Sequence, residues 1–163
     1  MKKITIVDYG SGNVLSAQKS FIKIAKDNDI EANVLVSKEL NDVKNSTHIV
    51  LPGQGAFSTC MNGLKKTDGL IDELCEFALI KKKPFLGICV GMQMLANMSE
   101  ESGAHKGLGW IDGQIKLLPT VNLKLPHMGW NLAIPTNSKY NSLISTKDDY
   151  YFVHSYYFDC ADK

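Results

Sequence analysis

A chain of 163 residues, 44% hydrophobic and 21% charged, suffices for one domain with its own core and is short for two, so residues 1–163 are read as a single domain. Its 18 basic and 17 acidic residues leave a formal net charge of +1 with no long block of either sign, which argues against nucleic acid as a ligand. No apolar run approaches the ~20 residues that cross a bilayer, and MKKITIVDYG turns polar too early for a signal-peptide core, so a cytoplasmic protein without membrane association is expected.

ITIVD (4–8) is a β-branched run ending in turn residues, and the glycine-rich VDYGSGN (7–13) comes directly after it. G-x-G without a third glycine or a G-K-S/T is weak evidence for a phosphate loop, whereas Asn13 stands where a side chain caps a helix. That helix is predicted from Val14, Phe21, Ile22 and Ala25, which recur on one face. EANVLV (31–36) and THIVLP (47–52) are the next strands, and LPGQGAF (51–57) is a second glycine-rich loop leaving a strand. Leu70, Ile71, Leu74, Cys75 and Ala78 mark another helix face, and packing accounts for Cys75 there. PFLGI (84–88) completes four runs that read as buried parallel strands. Strands alternating with helices predict βαβ units: an α/β fold with a doubly wound, mostly parallel sheet covered by helices on both faces. After residue 106, GLGWIDGQIKLLP, LPHMGWNLAIP and DDYYFVHSYYFD are strand-like pieces punctuated by glycine and proline, predicting a β-rich C-terminal half as an antiparallel extension of the sheet.

The chemistry concentrates where PFLGI meets the next helical pattern. Gly87-Ile88-Cys89-Val90-Gly91 is a G-x-C-x-G elbow, in which glycines two residues to either side make room for a strained residue between strand and helix. A helix start at Cys89 favours a negatively charged sulfur, and the Val90 N–H faces the place where an attacked carbonyl oxygen gains charge. Cysteine in that position can form an acyl-thioester. The amides of LPGQGAF are candidates to complete the oxyanion hole. Cys60, Cys75 and Cys160 are ordinary free thiols: no C-x-x-C spacing supports structural zinc, and neither a metal nor a cofactor is predicted.

A cysteine nucleophile needs a base, and the sequence has His48, His105, His127 and His154. His48 opens a strand and His105 lies in a glycine-flanked loop, so both read as surface residues. His127 and His154 sit among aromatics and read as satisfied, half-buried histidines. In strand 150–158, Tyr150, Phe152, His154 and Tyr156 share one face, and Tyr151, Val153, Ser155 and Tyr157 the other.

Taken together, IVDYGSGN, LPGQGAF, PFLGICVGMQ, GLGW, LPHMGWN and YYFVHSYY resemble, in order and spacing, the glutaminase subunits of imidazole glycerol phosphate synthase, class I glutamine amidotransferases of histidine biosynthesis. The resemblance covers the whole chain and implies a flavodoxin-like domain in which Cys89 attacks the side-chain amide of glutamine. It implies an oxyanion hole from the backbone of Gly53, Gln54 and Val90, and a substrate held by the Gln93 side chain, by Glu101 at its ammonium group and by the backbone around Ser155 and Tyr156. It further implies a (β/α)8 cyclase subunit as heterodimer partner, which consumes the ammonia to make imidazole glycerol phosphate and an aminoimidazole carboxamide ribonucleotide, with Asn13 and Trp130 on the face that meets it.

Two departures stand out. Gln54 replaces a frequent valine, a mild change because the backbone contributes there. The catalytic His-x-Glu of the family lies beyond residue 163, so the 163 residues alone are expected to hydrolyse little glutamine. Two other readings share many of these features: a paralogue supplying ammonia for surface-sugar modification, and a non-catalytic regulatory subunit. Intact substrate apparatus weighs against the second.

Overall fold

The computed structural model describes residues 1–120, 124–135, 144 and 148–162. Lys163, where the sequence ends, lies outside them. The sequence carries no signal of a boundary within the chain; the contacts fall into two compact units, Met1–Lys116 with Phe158–Lys163, and Leu117–Tyr157.

In the first unit, β1 (Lys2–Val7), β2 (Ala32–Ser37), β3 (His48–Gly53) and β4 (Phe85–Cys89) form a parallel sheet in the order β2-β1-β3-β4. The strands coincide with the four predicted runs to within two residues, because each run is β-branched or apolar and bounded by turn residues. α1 (Val14–Asp27), α2 (Leu40–Lys44), α3 (Phe57–Lys65), α4 (Leu70–Cys75) and a π-helical turn (Glu76–Ile80) fill the connections. Ile4, Ile6, Val34 and Val50 form a core cluster against which Val14, Ala17 and Phe21 of α1 pack. By strand alternation Thr5, Val7, Ile49 and Leu51 face the other way, and they too are buried. Both faces of the sheet are therefore covered at the central strands β1 and β3. The chain runs from β1 outward to β2 and returns to the far side of β1 as β3, so the strand order reverses between β1 and β3. At such a switch point the loops leaving the C-terminal strand ends diverge and open a crevice.

Three expectations for these strands and helices need correction. Ile22 is not on the packed face of α1 but 48% exposed, since Val14, Ala17 and Phe21 set the stripe one position away from it. The second face is led by Leu70, Leu74 and Phe77, which are fully buried at the i, i+4, i+7 spacing of a helix, with Ile71, Cys75 and Ala78 half-buried beside them. β4 is not buried on both faces: it is the outer strand of its sheet among the described residues, leaving Leu86 and Ile88 49% and 37% exposed.

The later half does not extend the first sheet. β5 (Met98–Ser99), β6 (His105–Lys106), β7 (Gly113–Leu117) and β10 (Tyr156–Cys160) make a second sheet in the order β10-β7-β5-β6, with β5–β6 antiparallel and β5–β7 parallel. His105 is thus in a strand and not in a loop. In the second unit β8 (His127–Leu132) pairs antiparallel with β9 (Asp149–His154), His127 opposite His154 and Trp130 opposite Tyr151. The aromatic stretch is two strands broken at Ser155, not one. Among the described residues no helix is long and apolar enough to cross a membrane.

Candidate active site

β4 delivers Cys89 into a sharp turn at φ 55 and ψ −120, a region that non-glycine residues avoid at a cost of about 1–3 kcal/mol. The chain then makes a single helical turn, α5 (Val90–Gln93), so the helix predicted there is short and its dipole small. Cys89 is exposed and Val90 buried, which turns the sulfur outward and anchors the next residue in the core. The flanking glycines are required by space. A Cβ on Gly91 would stand 1.9 Å from the Leu51 carbonyl oxygen, and one on Gly87 would stand 2.6 Å from the Cα of Met92. Behind the elbow, the amides of Gly107, Leu108, Gly109 and Trp110 donate to the carbonyls of Asn97, Met94, Ala96 and Leu95. GLGW therefore braces the chain as it leaves α5.

β3 ends beside the elbow, with Gly53 in register with Cys89 and Pro52 with Ile88. The approach is so close that a Cβ on Gly53 would lie 2.4 Å from the Gly91 nitrogen. Beyond Gly53 the loop passes exposed Gln54 and Gly55, the latter at φ +92, before α3 starts at Phe57. Three side chains hold this segment. The Tyr9 hydroxyl donates to the Pro52 carbonyl at 2.6 Å, the Cys60 thiol donates to the Gln54 carbonyl at 3.4 Å, and a Glu101 carboxylate oxygen accepts the Phe57 N–H at 2.7 Å.

VDYGSGN acquires a structural meaning here. Gly12, at φ +96, lies where a Cβ would be 3.0 Å from Pro52 Cβ and 3.2 Å from the Gly53 nitrogen. The loop buttresses the end of β3. Sequence reasoning misses Tyr9, because an aromatic after a buried strand carries no signal beyond core packing; its hydroxyl partner is a carbonyl 43 residues away. Burial raises the Tyr9 phenol far above its ordinary range, with Cys60 and then Cys89 adding to the shift, so it remains a donor.

Of the other predicted residues, Gln93 closes α5, half-buried, four residues beyond Cys89. Glu101, also half-buried, comes just after β5 and reaches back to the start of α3 through its bond to Phe57. Asn13 is exposed and its side-chain oxygen accepts the Ser16 N–H at 3.1 Å, the capping role that its position suggests. Ser155 and Tyr156 belong to the second unit, at the break between β9 and β10. Trp130, 71% exposed on β8, meets Tyr151 edge-on at 5.4 Å between ring centroids.

His48 stands at the far end of β3 from Gly53, five residues or roughly 16 Å along the strand, so it is no partner for Cys89. Partial burial, and then Lys2, lower its pKa. His127 and His154 are satisfied by each other. The Tyr156 carbonyl can only accept, so the 2.9 Å bond to it requires a proton on His154 Nδ1, which leaves Nε2 to accept from His127 Nδ1 at 3.0 Å in the neutral pair. Phe152 stacks on His127 with ring centroids 4.9 Å apart.

The chain is also similar to known proteins over nearly its whole length. The class-I glutamine amidotransferase family matches residues 5–162. Imidazole glycerol phosphate synthase subunit HisH of Pelagibacter ubique is 46% identical over 163 residues, covering 98% of this chain and 77% of that one. The subunit of the same name from Rhodospirillum rubrum is 42% identical, and HisH 1 of Campylobacter jejuni 41%, each with the same coverage. The chain belongs to the class-I glutamine amidotransferase family, on the branch of the HisH subunits of imidazole glycerol phosphate synthase.

Proposed function

We propose that Cys89 is the nucleophile of a glutaminase. Its sulfur attacks the side-chain amide carbon of glutamine; the carbon–nitrogen bond breaks, ammonia leaves with an added proton, and water hydrolyses the glutamyl thioester to glutamate and free thiol. The observation that carries this reading is the register of Gly53 with Cys89 across β3 and β4, which sets a second glycine-rich backbone directly beside the strained elbow. The N–H groups of Val90, Gly53 and Gln54 serve as oxyanion donors, and Gln93 with Glu101 binds the substrate. For Ser155 and Tyr156 the substrate role rests on the resemblance. The family's general acid/base is a His-x-Glu pair, a role the resemblance gives to none of His48, His105, His127 and His154.

The ammonia is passed to a cyclase subunit, bound in part through Asn13 and Trp130, that forms imidazole glycerol phosphate and the ribonucleotide by-product in the cytoplasm. Identity of 46% to a HisH subunit favours this histidine-pathway reading over the surface-sugar paralogue. A diazo-ketone analogue of glutamine tests the assignment: mass mapping should find Cys89 modified and Cys60, Cys75 and Cys160 spared. Equal labelling of Cys60 or Cys75 would contradict it.

A further inference from the structure

The segment from Pro52 to Phe57 has no regular structure of its own for three residues, and yet two of its oxyanion donors must be aimed within a fraction of an ångström. A peptide unit is planar and trans, so its carbonyl oxygen and the following N–H point in opposite directions. Whatever fixes Pro52 O therefore fixes the direction of Gly53 N–H. In this structure that contact is the Tyr9 hydroxyl, 2.6 Å from Pro52 O. Tyr9 is itself immobilised: it is 7% exposed, and α3 crosses its ring at Gly63, where a Cβ would lie 2.8 Å from Tyr9 Cδ2. The Cys60 thiol holds Gln54 O on the other side of Gly53.

We propose that Tyr9 is a positioning residue for glutamine hydrolysis, acting through the Pro52 carbonyl to aim the Gly53 N–H at the developing oxyanion; this rests on the function proposed above. A tyrosine with a purely structural role supports the elbow and its neighbours alike. A positioning role separates steps that build an oxyanion from those that do not. Alkylation of Cys89 by iodoacetamide forms a carbon–sulfur bond and expels iodide with no oxyanion, so it is insensitive to the aim of Gly53.

The test is Tyr9→Phe in the full-length protein assembled with its cyclase subunit. The ring and its packing on Gly63 are kept and only the hydroxyl is lost. kcat for glutamine hydrolysis should fall about tenfold, short of the ~10²–10³ for deleting an oxyanion donor outright. KM for glutamine and the iodoacetamide rate at Cys89 should stay within about twofold of wild type, a margin small beside that loss. An unchanged kcat overturns the proposal, and so does a fall in alkylation parallel to kcat. If buried Cys60 also becomes alkylated, the variant has lost its fold, and replacing Tyr9 by 4-fluorophenylalanine, which fills the hydroxyl's place with an atom that cannot donate to Pro52 O, carries the test with the same expected split. A wild-type complex that neither hydrolyses glutamine nor labels at Cys89 instead refutes the glutaminase reading itself.

Discussion

Cys89 owes its position to residues that have no side chain at all. Gly91 admits the Leu51 carbonyl to within 1.9 Å of where a Cβ would be, so Gly91→Ala has to push α5 away from β3 or rotate the elbow. Overpacking of this kind costs about 1–3 kcal/mol. Gly91→Ala should therefore lower the denaturant midpoint accordingly and abolish glutamine hydrolysis; a variant with wild-type midpoint and turnover would contradict the elbow geometry. The elbow is legible in the sequence because its glycine spacing reflects a local steric need. The role of Tyr9 is not, because it depends on a carbonyl of another strand, and the mutual bond of His127 and His154 is not, because it depends on hairpin register.

At the scale of elements, the ends of the four parallel strands and the start of α1 are readable and their surroundings are not. The four parallel strands come from apolar runs bounded by turn residues, whereas the exposed side chains of β4 come from its place at the edge of the sheet, which no local pattern encodes. The start of α3 is held from a distance: Glu101, 44 residues on, accepts the Phe57 N–H in place of a local cap. This separates two roles of one carboxylate. Glu101→Gln keeps an acceptor for Phe57 and removes the charge, so stability should hold while KM for glutamine rises. Glu101→Ala should in addition lose about 0.5–2 kcal/mol of stability, as for loss of a helix cap. Equal stability of the two variants would show that the cap contributes nothing. On the β8–β9 hairpin, Trp130 is largely exposed and meets Tyr151 at one ring edge, and large exposed aromatics anchor interfaces. Trp130→Ala should weaken binding to the cyclase subunit by about tenfold or more, as loss of a hot-spot aromatic does. Titration calorimetry showing unchanged affinity, with unchanged stimulation of glutaminase, would retire that assignment.

For the whole molecule, strand order explains why separate motifs serve one purpose. The reversal between β1 and β3 brings the loop after β1 against the end of β3, and β4 sets the elbow on the other side, so VDYGSGN, LPGQGAF and GICVG meet although about 80 residues span them. The α/β class is legible from the alternation of periods. The separate second sheet and the hairpin unit are not, because short glycine- and proline-punctuated strands do not declare their partners. In the proposed division of labour, Cys89 acts chemically on glutamine alone, while a partner consumes the ammonia. The decisive variant is Cys89→Ala in the full-length complex, assayed for cyclase product with glutamine and, separately, with an ammonium salt. No product should form from glutamine, and product from ammonium should stay at the wild-type level; loss of both activities, or retention of both, would contradict the proposed chemistry.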